Sequence, residues 1–363
     1  MQAYFSLQGS FALRKSSLFI LLMIGVIYSA QAASWCNADP APTAAIQALQ
    51  RDVDKRLAET SQPRAIARLH TEGTLPHQGI WDQSIEAKKD FPLIRNLALL
   101  WRANKDQRVL NQLAPILDAW ATIYQPSFNP IDETDFDTII DAFALIQADL
   151  PQATRDKVAA LLHRFATGYL DQMQHYSKPG KNTWINNWQS HRIKIATMSA
   201  AALGDQRLLD AARWQFIKQL NQNLHPDGTS IDFEERDALH YVVYNLEPLV
   251  RAAMAANTMG QDWLTLRADN GVTLTVAIDW LVPYASGEKT HQEYVNTTVK
   301  FDLQRRDAGV PGFTGQWEPK SSDQLFWLAS TLDARYQPLA QSLRKQLSWM
   351  AACWQIPAAQ PAQ

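Results

Sequence analysis

DLPQATRDKVAALLHRFATGYLDQMQHYSKPG, residues 149–180, is the stretch whose reading decides the fold. Its apolar side chains fall at Val158, Leu161, Leu162, Phe165, Ala166, Tyr169, Leu170 and Met173. Spacings of three and four put all of them on one face of a long helix. Asp149 and Pro151 suit a helix start, and Lys178-Pro179-Gly180 is a break. Working outward, the same period marks Ala44–Ala58, Ile85–Ala103, Gln107–Tyr124 and Phe136–Asp149 on the N-terminal side. It returns in Asn187–Leu203, Gln206–Asn221, Glu234–Ala255, Asp262–Leu281, Ser322–Leu332 and Leu339–Cys353. Almost nothing alternates with period two. Val295–Leu303 alone reads as a short strand or an extended loop, within the least periodic stretch, Gly287–Gly315.

About a dozen helices with short connections form one all-α domain, either a solenoid or an incomplete (α/α) toroid. No repeat of fixed period appears, which disfavours a regular solenoid. A toroid has a cleft that suits a long polymer. Trp120, Trp214 and Trp327 read as core.

The ends bear on compartment. Arg14 and Lys15 precede an apolar run from Leu18 to Tyr28 and then Ala30-Gln31-Ala32. That order reads as a signal peptide over residues 1–32, with the mature domain over 33–363. The run is too short for a stable membrane anchor, which takes about 20 apolar residues. The expected location is the periplasm or the exterior. There Cys36 and Cys353, the only cysteines, read as a disulfide, with two unrelated buried thiols as the alternative. A net charge of −2 offers no broad basic surface for nucleic acid. No metal-ligand spacing, phosphate-binding glycine loop or nucleophile elbow occurs, so no cofactor or metal is expected.

Two constellations carry chemistry. In Asn182–Arg192 a helix starts near Asn187, and His191 follows one turn along the same face. An amide and an imidazole beside a helix N-terminus suit an anion; the plainer reading is capping by Asn186 with Trp188 and His191 in the core. Around this pair, Trp184, Trp188, Gln189 and Arg192 are candidates for sugar and carboxylate binding. In the second constellation Arg236, His240 and Tyr244 are spaced by four on a predicted helix, with Tyr241 one turn before Tyr244. A guanidinium beside a phenol favours the phenolate, and such a tyrosine can move protons. Aromatic packing is the alternative. Lys181, Lys300 and Arg305 are further candidates for substrate carboxylates. The carboxylate-rich loop Asn129–Asp135 reads as helix capping.

The Asn186-Asn187 helix start, the run Ala238-Leu239-His240-Tyr241-Val242-Val243-Tyr244-Asn245-Leu246-Glu247-Pro248-Leu249 and the block Arg305–Phe313 together resemble the alginate-lyase-type family of polysaccharide lyases. The resemblance implies a helical toroid that β-eliminates at uronic acid residues of an acidic polysaccharide. It also implies a catalytic set drawn from Asn187, His191, Arg236, Tyr241 and Tyr244. Two departures stand out. Trp188 occupies the position where alginate-specific members carry histidine, with His191 as its substitute one turn on, and the arginine register is shifted by one. Both widen the substrate to glucuronan and mannuronan as well as alginate. Two other functions compete. A glycoside hydrolase on the same fold would draw its two carboxyls from Asp132, Asp135, Asp232, Glu234 and Glu235. A non-catalytic glycan-binding protein would use the aromatic cleft alone.

Overall fold

The computed structural model describes residues 35–175 and 182–356. The signal peptide expected over 1–32 and Lys181 lie outside the described residues. The first half consists of α1 (Thr43–Glu59), α2 (Trp81–Lys88), α3 (Asp90–Asn104), α4 (Gln107–Ile123), α5 (Asp137–Ile146), α6 (Gln152–His175) and α7 (Asn187–Leu203). Then follow α8 (Gln206–Asn223), α9 (Ile231–Arg236), α10 (Leu239–Thr258), α11 (Leu274–Ala285) and α12 (Lys300–Asp307). The chain closes with α13 (Asp323–Ala329), α14 (Gln337–Leu343) and α15 (Ser348–Cys353). No strand occurs among the described residues. The only bridges among them are isolated, Leu224 with Ser230 and Gln292 with Gln316.

These helices form an α/α toroid around a main apolar core that runs from Cys36 to Trp354, with a small second cluster of Ala238, Tyr241 and Tyr294. Its hub is α7, which packs on α5, α6, α8 and α10. Only Trp188 and Leu203 of α7 escape full burial. A helix buried all round carries its polar residues into the interior, and they must find partners there. Asn187, His191 and Lys194 are on this hub for that reason. The disulfide Cys36–Cys353 forms, with Cα atoms 4.5 Å apart, and Ala38 N–H donates to the Cys353 carbonyl at 3.0 Å. It holds the C-terminal α15 against α1 and α3. No helix among the described residues is long and apolar enough to cross a membrane.

Several sequence expectations are corrected. Ile85–Ala103 is two helices, divided at Lys89. Asp262–Leu281 is helical only from Leu274, because the Asp262 carboxylate binds Leu264 N, Thr265 N and the Thr265 hydroxyl in a turn. Leu339–Cys353 splits into α14 and α15. Val295–Leu303 is not a strand; α12 begins at Lys300. Trp120 and Trp327 are core, but Trp214 is 59% exposed.

The break with most consequence lies within Glu234–Ala255. Asp237 adopts the left-handed conformation, φ 49°, which Asp tolerates better than bulkier residues. Its N–H closes α9 onto Phe233 O at 2.8 Å. The chain then restarts as α10, whose first N–H groups, Leu239 and His240, donate to the Glu293 carboxylate at 3.0 and 3.3 Å. Arg236 is therefore not on the helix of His240 and Tyr244, and the spacing-by-four argument does not hold for it.

Candidate active site

Buried amides set the start of α7. Asn186 caps it, accepting from Trp188 N at 3.1 Å. Asn187 donates its backbone N–H and its side-chain Nδ2 to Asp232 Oδ1, at 3.0 and 2.5 Å. The second Asp232 oxygen accepts from Asn223 Nδ2 at 2.9 Å. Asn245 and Ser190 extend the chain: Asn245 Nδ2 donates to Asn223 Oδ1 and Ser190 Oγ donates to Asn245 Oδ1, both at 2.6 Å. Burial pushes the Asp232 carboxyl upward, and the Asn187 and Asn223 donors pull it back. The network joins α7, α8, α9 and α10 beneath the site and fixes the Asn187 amide.

One turn on, His191 Nδ1 lies 2.7 Å from the Thr134 hydroxyl. Lys194 Nζ donates to that same hydroxyl oxygen at 2.8 Å and to Asp137 Oδ2 at 2.7 Å. A hydroxyl whose other neighbour is an ammonium has its own hydrogen free for the imidazole. Thr134 therefore donates to Nδ1, and the ring proton sits on Nε2. Burial and then the Lys194 charge hold the His191 pKa well below the usual histidine value, so the ring is neutral. Its Nε2 is buried without a well-formed hydrogen bond. A polar partner for the ring on α10 follows from the sequence. Pro248 has no N–H, which strips the Tyr244 carbonyl of its helical partner. That carbonyl faces the imidazole and favours its N–H.

The His191 and Tyr244 rings are 4.3 Å apart, centroid to centroid. Both line a cavity of about 300 Å³, together with Thr134, Lys194, Glu247 and Arg95. Burial raises the Tyr244 phenol well above its ordinary pKa, and the Asp135 charge adds to this. Glu247, which accepts from Gln324 Nε2, is pushed up to about 7 by burial.

A second cluster borders Tyr244. Arg236 grips the buried Asp302 with Nη1 at 2.7 and 2.9 Å from its two oxygens. Its guanidinium lies 3.8 Å from the Tyr241 ring centre. Arg305 Nη1 donates to the Tyr241 hydroxyl at 3.2 Å. The phenol flanked by guanidinium groups is thus Tyr241, not Tyr244. Burial raises Tyr241, while Arg236 and Arg305 draw it down. Tyr241 meets Tyr244 edge-on at 6.2 Å, and His240 stacks on Tyr244 at the same distance. Burial, followed by the two arginine charges, depresses the His240 pKa. The 291–302 segment is fastened here: Asp237 holds Asn296 by N and Nδ2, and Thr298 N donates to the Glu235 carbonyl.

The remaining candidates lie apart from the cavity. Arg192 stacks on Trp184 at 3.9 Å and lies 5.9 Å from the Trp188 ring. It donates to Thr183 O at 2.5 Å and to Gln189 Oε1 at 3.3 Å. Gln189 and Arg192 are thus nearly buried and bonded to each other, while the two tryptophans stay partly exposed. Lys300 is exposed at the first position of α12. Each of the five carboxyls proposed for a hydrolase is engaged by a partner of its own. Asp132 binds His70 and the 71–72 backbone, Asp232 the amides, Glu234 His225, Glu235 Asn182 and Asp135 Lys88. Sequence reasoning missed Thr134, Lys194, Glu247 and Arg95. Lys194 and Glu247 lie one turn beyond His191 and Tyr244, and that spacing was the available signal.

An α/α toroid whose cavity is lined by a neutral imidazole, a phenol and guanidinium groups is the architecture of a polysaccharide lyase. The family model for alginate lyase matches residues 28–291, and the chain belongs to that family. The match stops short of Asp302 and Arg305. Among solved structures, the chain is similar to an alginate lyase from Bacteroides ovatus, at 18% identity and a TM-score of 0.60, covering 84% of this chain and 90% of that one. It is also similar to a histidine-to-alanine variant of alginate lyase A1-III in complex with a tetrasaccharide, at 19% identity and a TM-score of 0.52, with coverage of 82% and 95%. Alginate lyase A1-III from Sphingomonas species A1 matches at 18% identity and a TM-score of 0.50, covering 80% and 94%. At such identities the structures establish the shared fold. No curated protein matches the chain.

Proposed function

We propose that the protein is an exported lyase that cleaves a polymer of D-uronic acid, of the mannuronan or glucuronan type, by β-elimination. The observation that carries this reading is the His191–Tyr244 contact at the cavity, with the His191 ring neutral and its Nε2–H turned to the Tyr244 carbonyl without a well-formed hydrogen bond. Proton loss at C5 of a uronate adds charge to a group that is already anionic, so donors fixed before reaction stabilise the transition state. Asn187, held by Asp232, and His191 Nε2–H supply such donors from one face of α7. Tyr244 takes the C5 proton, the C4–O4 bond breaks as the C4–C5 double bond forms, and the proton passes to the departing O4.

One tyrosine can serve both steps only if the C5 hydrogen and O4 lie on the same side. D-Mannuronate and D-glucuronate differ at C2 alone and share that geometry. L-Guluronate, the C5 epimer, presents its hydrogen to the opposite face. The tetrasaccharide complex of a relative lacking a histidine side chain is in keeping with an imidazole at the reacting sugar. In this chain Tyr241, held by Arg305 and stacked on Arg236, and His240 flank the reacting group and tune its field. Trp184 and Trp188, both partly exposed, and Lys300 are the candidates for contacts to outer sugars. The residues 1–32 act as a signal peptide, and the Cys36–Cys353 disulfide accords with an oxidising compartment.

The test is to incubate purified protein with polymannuronate, polyglucuronate and polyguluronate and to follow ultraviolet absorbance from the unsaturated uronate. Rising absorbance with the first two, and little with the third, is expected. New reducing ends without absorbance would mean hydrolysis, and neither signal would mean binding alone.

A further inference from the structure

The cavity that holds His191 and Tyr244 is also lined by three cations, Arg95, Lys194 and Arg251. Two of them are matched. Lys194 pairs with Asp137 at 2.7 Å, and Arg251 pairs with Asp141 at 2.6 Å. Arg95, on α3, is different. Its Nε donates to the Asn96 amide oxygen at 3.3 Å, and no carboxylate oxygen among the described residues lies within 4.0 Å of it. Burial without a counter-ion pulls its pKa down to about 10. The Asp137 and Asp141 charges reach it only through space.

The guanidinium is nevertheless fixed. Its centre sits 4.2 Å over the ring of Trp349, on α15. Stacking on an indole orients the planar group and leaves its N–H edge free for a planar anion. An isolated buried cation is costly unless something pairs with it. Among the described residues no carboxylate does so at short range, and Glu247, in the same cavity lining, accepts from Gln324 instead.

We propose that Arg95, clamped on Trp349, is a subsite for the carboxylate of a second uronate residue, one neighbouring the sugar that reacts at Tyr244. This rests on the lyase reading above and adds that the enzyme reads two carboxylates rather than one. A polymer with neutral sugars at the neighbouring position then binds poorly, although the reacting sugar is intact.

The test uses Arg95→Gln, Arg95→Lys and Trp349→Leu in the full chain, with oligomannuronate and oligoglucuronate as probes. Titration calorimetry measures binding and absorbance measures turnover. Losing a charge-assisted bidentate contact weakens binding roughly 10–100-fold. Arg95→Gln should therefore raise KM and Kd by about that factor while kcat stays within about twofold. Arg95→Lys should fall between, because an ammonium keeps the charge without the fork. Trp349→Leu should raise KM by less than Arg95→Gln. Wild-type protein should bind an oligosaccharide carboxyl-reduced at the neighbouring sugar as weakly as Arg95→Gln binds the native one. Unchanged KM and Kd in Arg95→Gln, with wild type active, would overturn the subsite alone. So would equal loss of kcat and melting temperature in Arg95→Gln, the mark of a structural counter-ion. No unsaturated product from wild type on any polyuronate would instead sink the lyase reading, while the calorimetric comparison would still judge Arg95.

Discussion

Tyr244 and Tyr241 are three residues apart on one helix, yet their environments differ in ways that assign them different tasks. Tyr244 lines the cavity against His191. Tyr241 lies behind it, its hydroxyl taken by Arg305 and its ring by Arg236. Tyr244→Phe should lower kcat by about 100–10,000-fold, the range for removing a positioned acid–base group. Tyr241→Phe should cost far less, roughly tenfold, since it removes a supporting hydrogen bond. Steady-state kinetics of the two variants checks the order. Because Tyr244 is raised and His191 depressed, the rate should climb with pH through the alkaline range. It should show no inflection near the ordinary histidine value of about 6.5. A pH–rate profile with a histidine limb would contradict the neutral Nε2–H assignment.

Glu247 supplies a residue-scale stability test. Its folded pKa, about 7, exceeds the unfolded value of 4.5. Its contribution is therefore fully present below the unfolded value and is lost as pH rises through 7. Glu247→Gln keeps an acceptor for Gln324 and cannot ionise. It should be stabilised relative to wild type by about 1–2 kcal/mol at pH 8, after allowance for partial solvent access, and by almost nothing at pH 4. Thermal melts at the two pH values decide this.

At the scale of elements, the decisive event is the break between α9 and α10. Apolar periodicity runs through Glu234–Ala255 without interruption, and no glycine or proline marks Asp237. The turn is stabilised from far along the chain, by Glu293 on the α10 N-terminus and by Asn296 and His291 on Asp237. Local pattern cannot reveal a cap supplied from more than 50 residues away. That is why the local pattern puts Arg236 on the helix of His240, though it still reaches Tyr241. The pair on α7 was legible because Asn186 is a local cap and four residues separate Asn187 from His191. Thr134 was not, since its role depends on the loop 129–135 meeting α7. Asp237→Ala removes the carboxylate that holds Asn296 while keeping a residue in the left-handed region. It should destabilise the protein by about 1–3 kcal/mol. Limited proteolysis should then cut faster within residues 287–315 than in wild type.

For the whole molecule, long-range helix periodicity was enough to give an all-α toroid, because a helix rich in one-faced apolar spacing has few ways to bury that face. The short connections then restrict which helices meet. The helix starts α12 and α15 were less visible, being single turns or two. The disulfide closes 317 residues of sequence separation, and loop-closure entropy assigns such a bond about 5 kcal/mol. Replacing Cys36 and Cys353 together by serine should lower the melting temperature by about 10 °C or more, at roughly 2–4 °C per kcal/mol. It should also loosen α15, and with it Trp349 beneath Arg95, so KM should rise before kcat falls.

The most direct test of the central claim is the formation of unsaturated uronate from polymannuronate and polyglucuronate by wild type beside Tyr244→Phe, followed by ultraviolet absorbance. The account predicts steady absorbance with wild type on at least one of these D-uronate polymers and a loss of 100-fold or more in the variant. Undiminished absorbance in Tyr244→Phe, or reducing ends without absorbance in wild type, would contradict it.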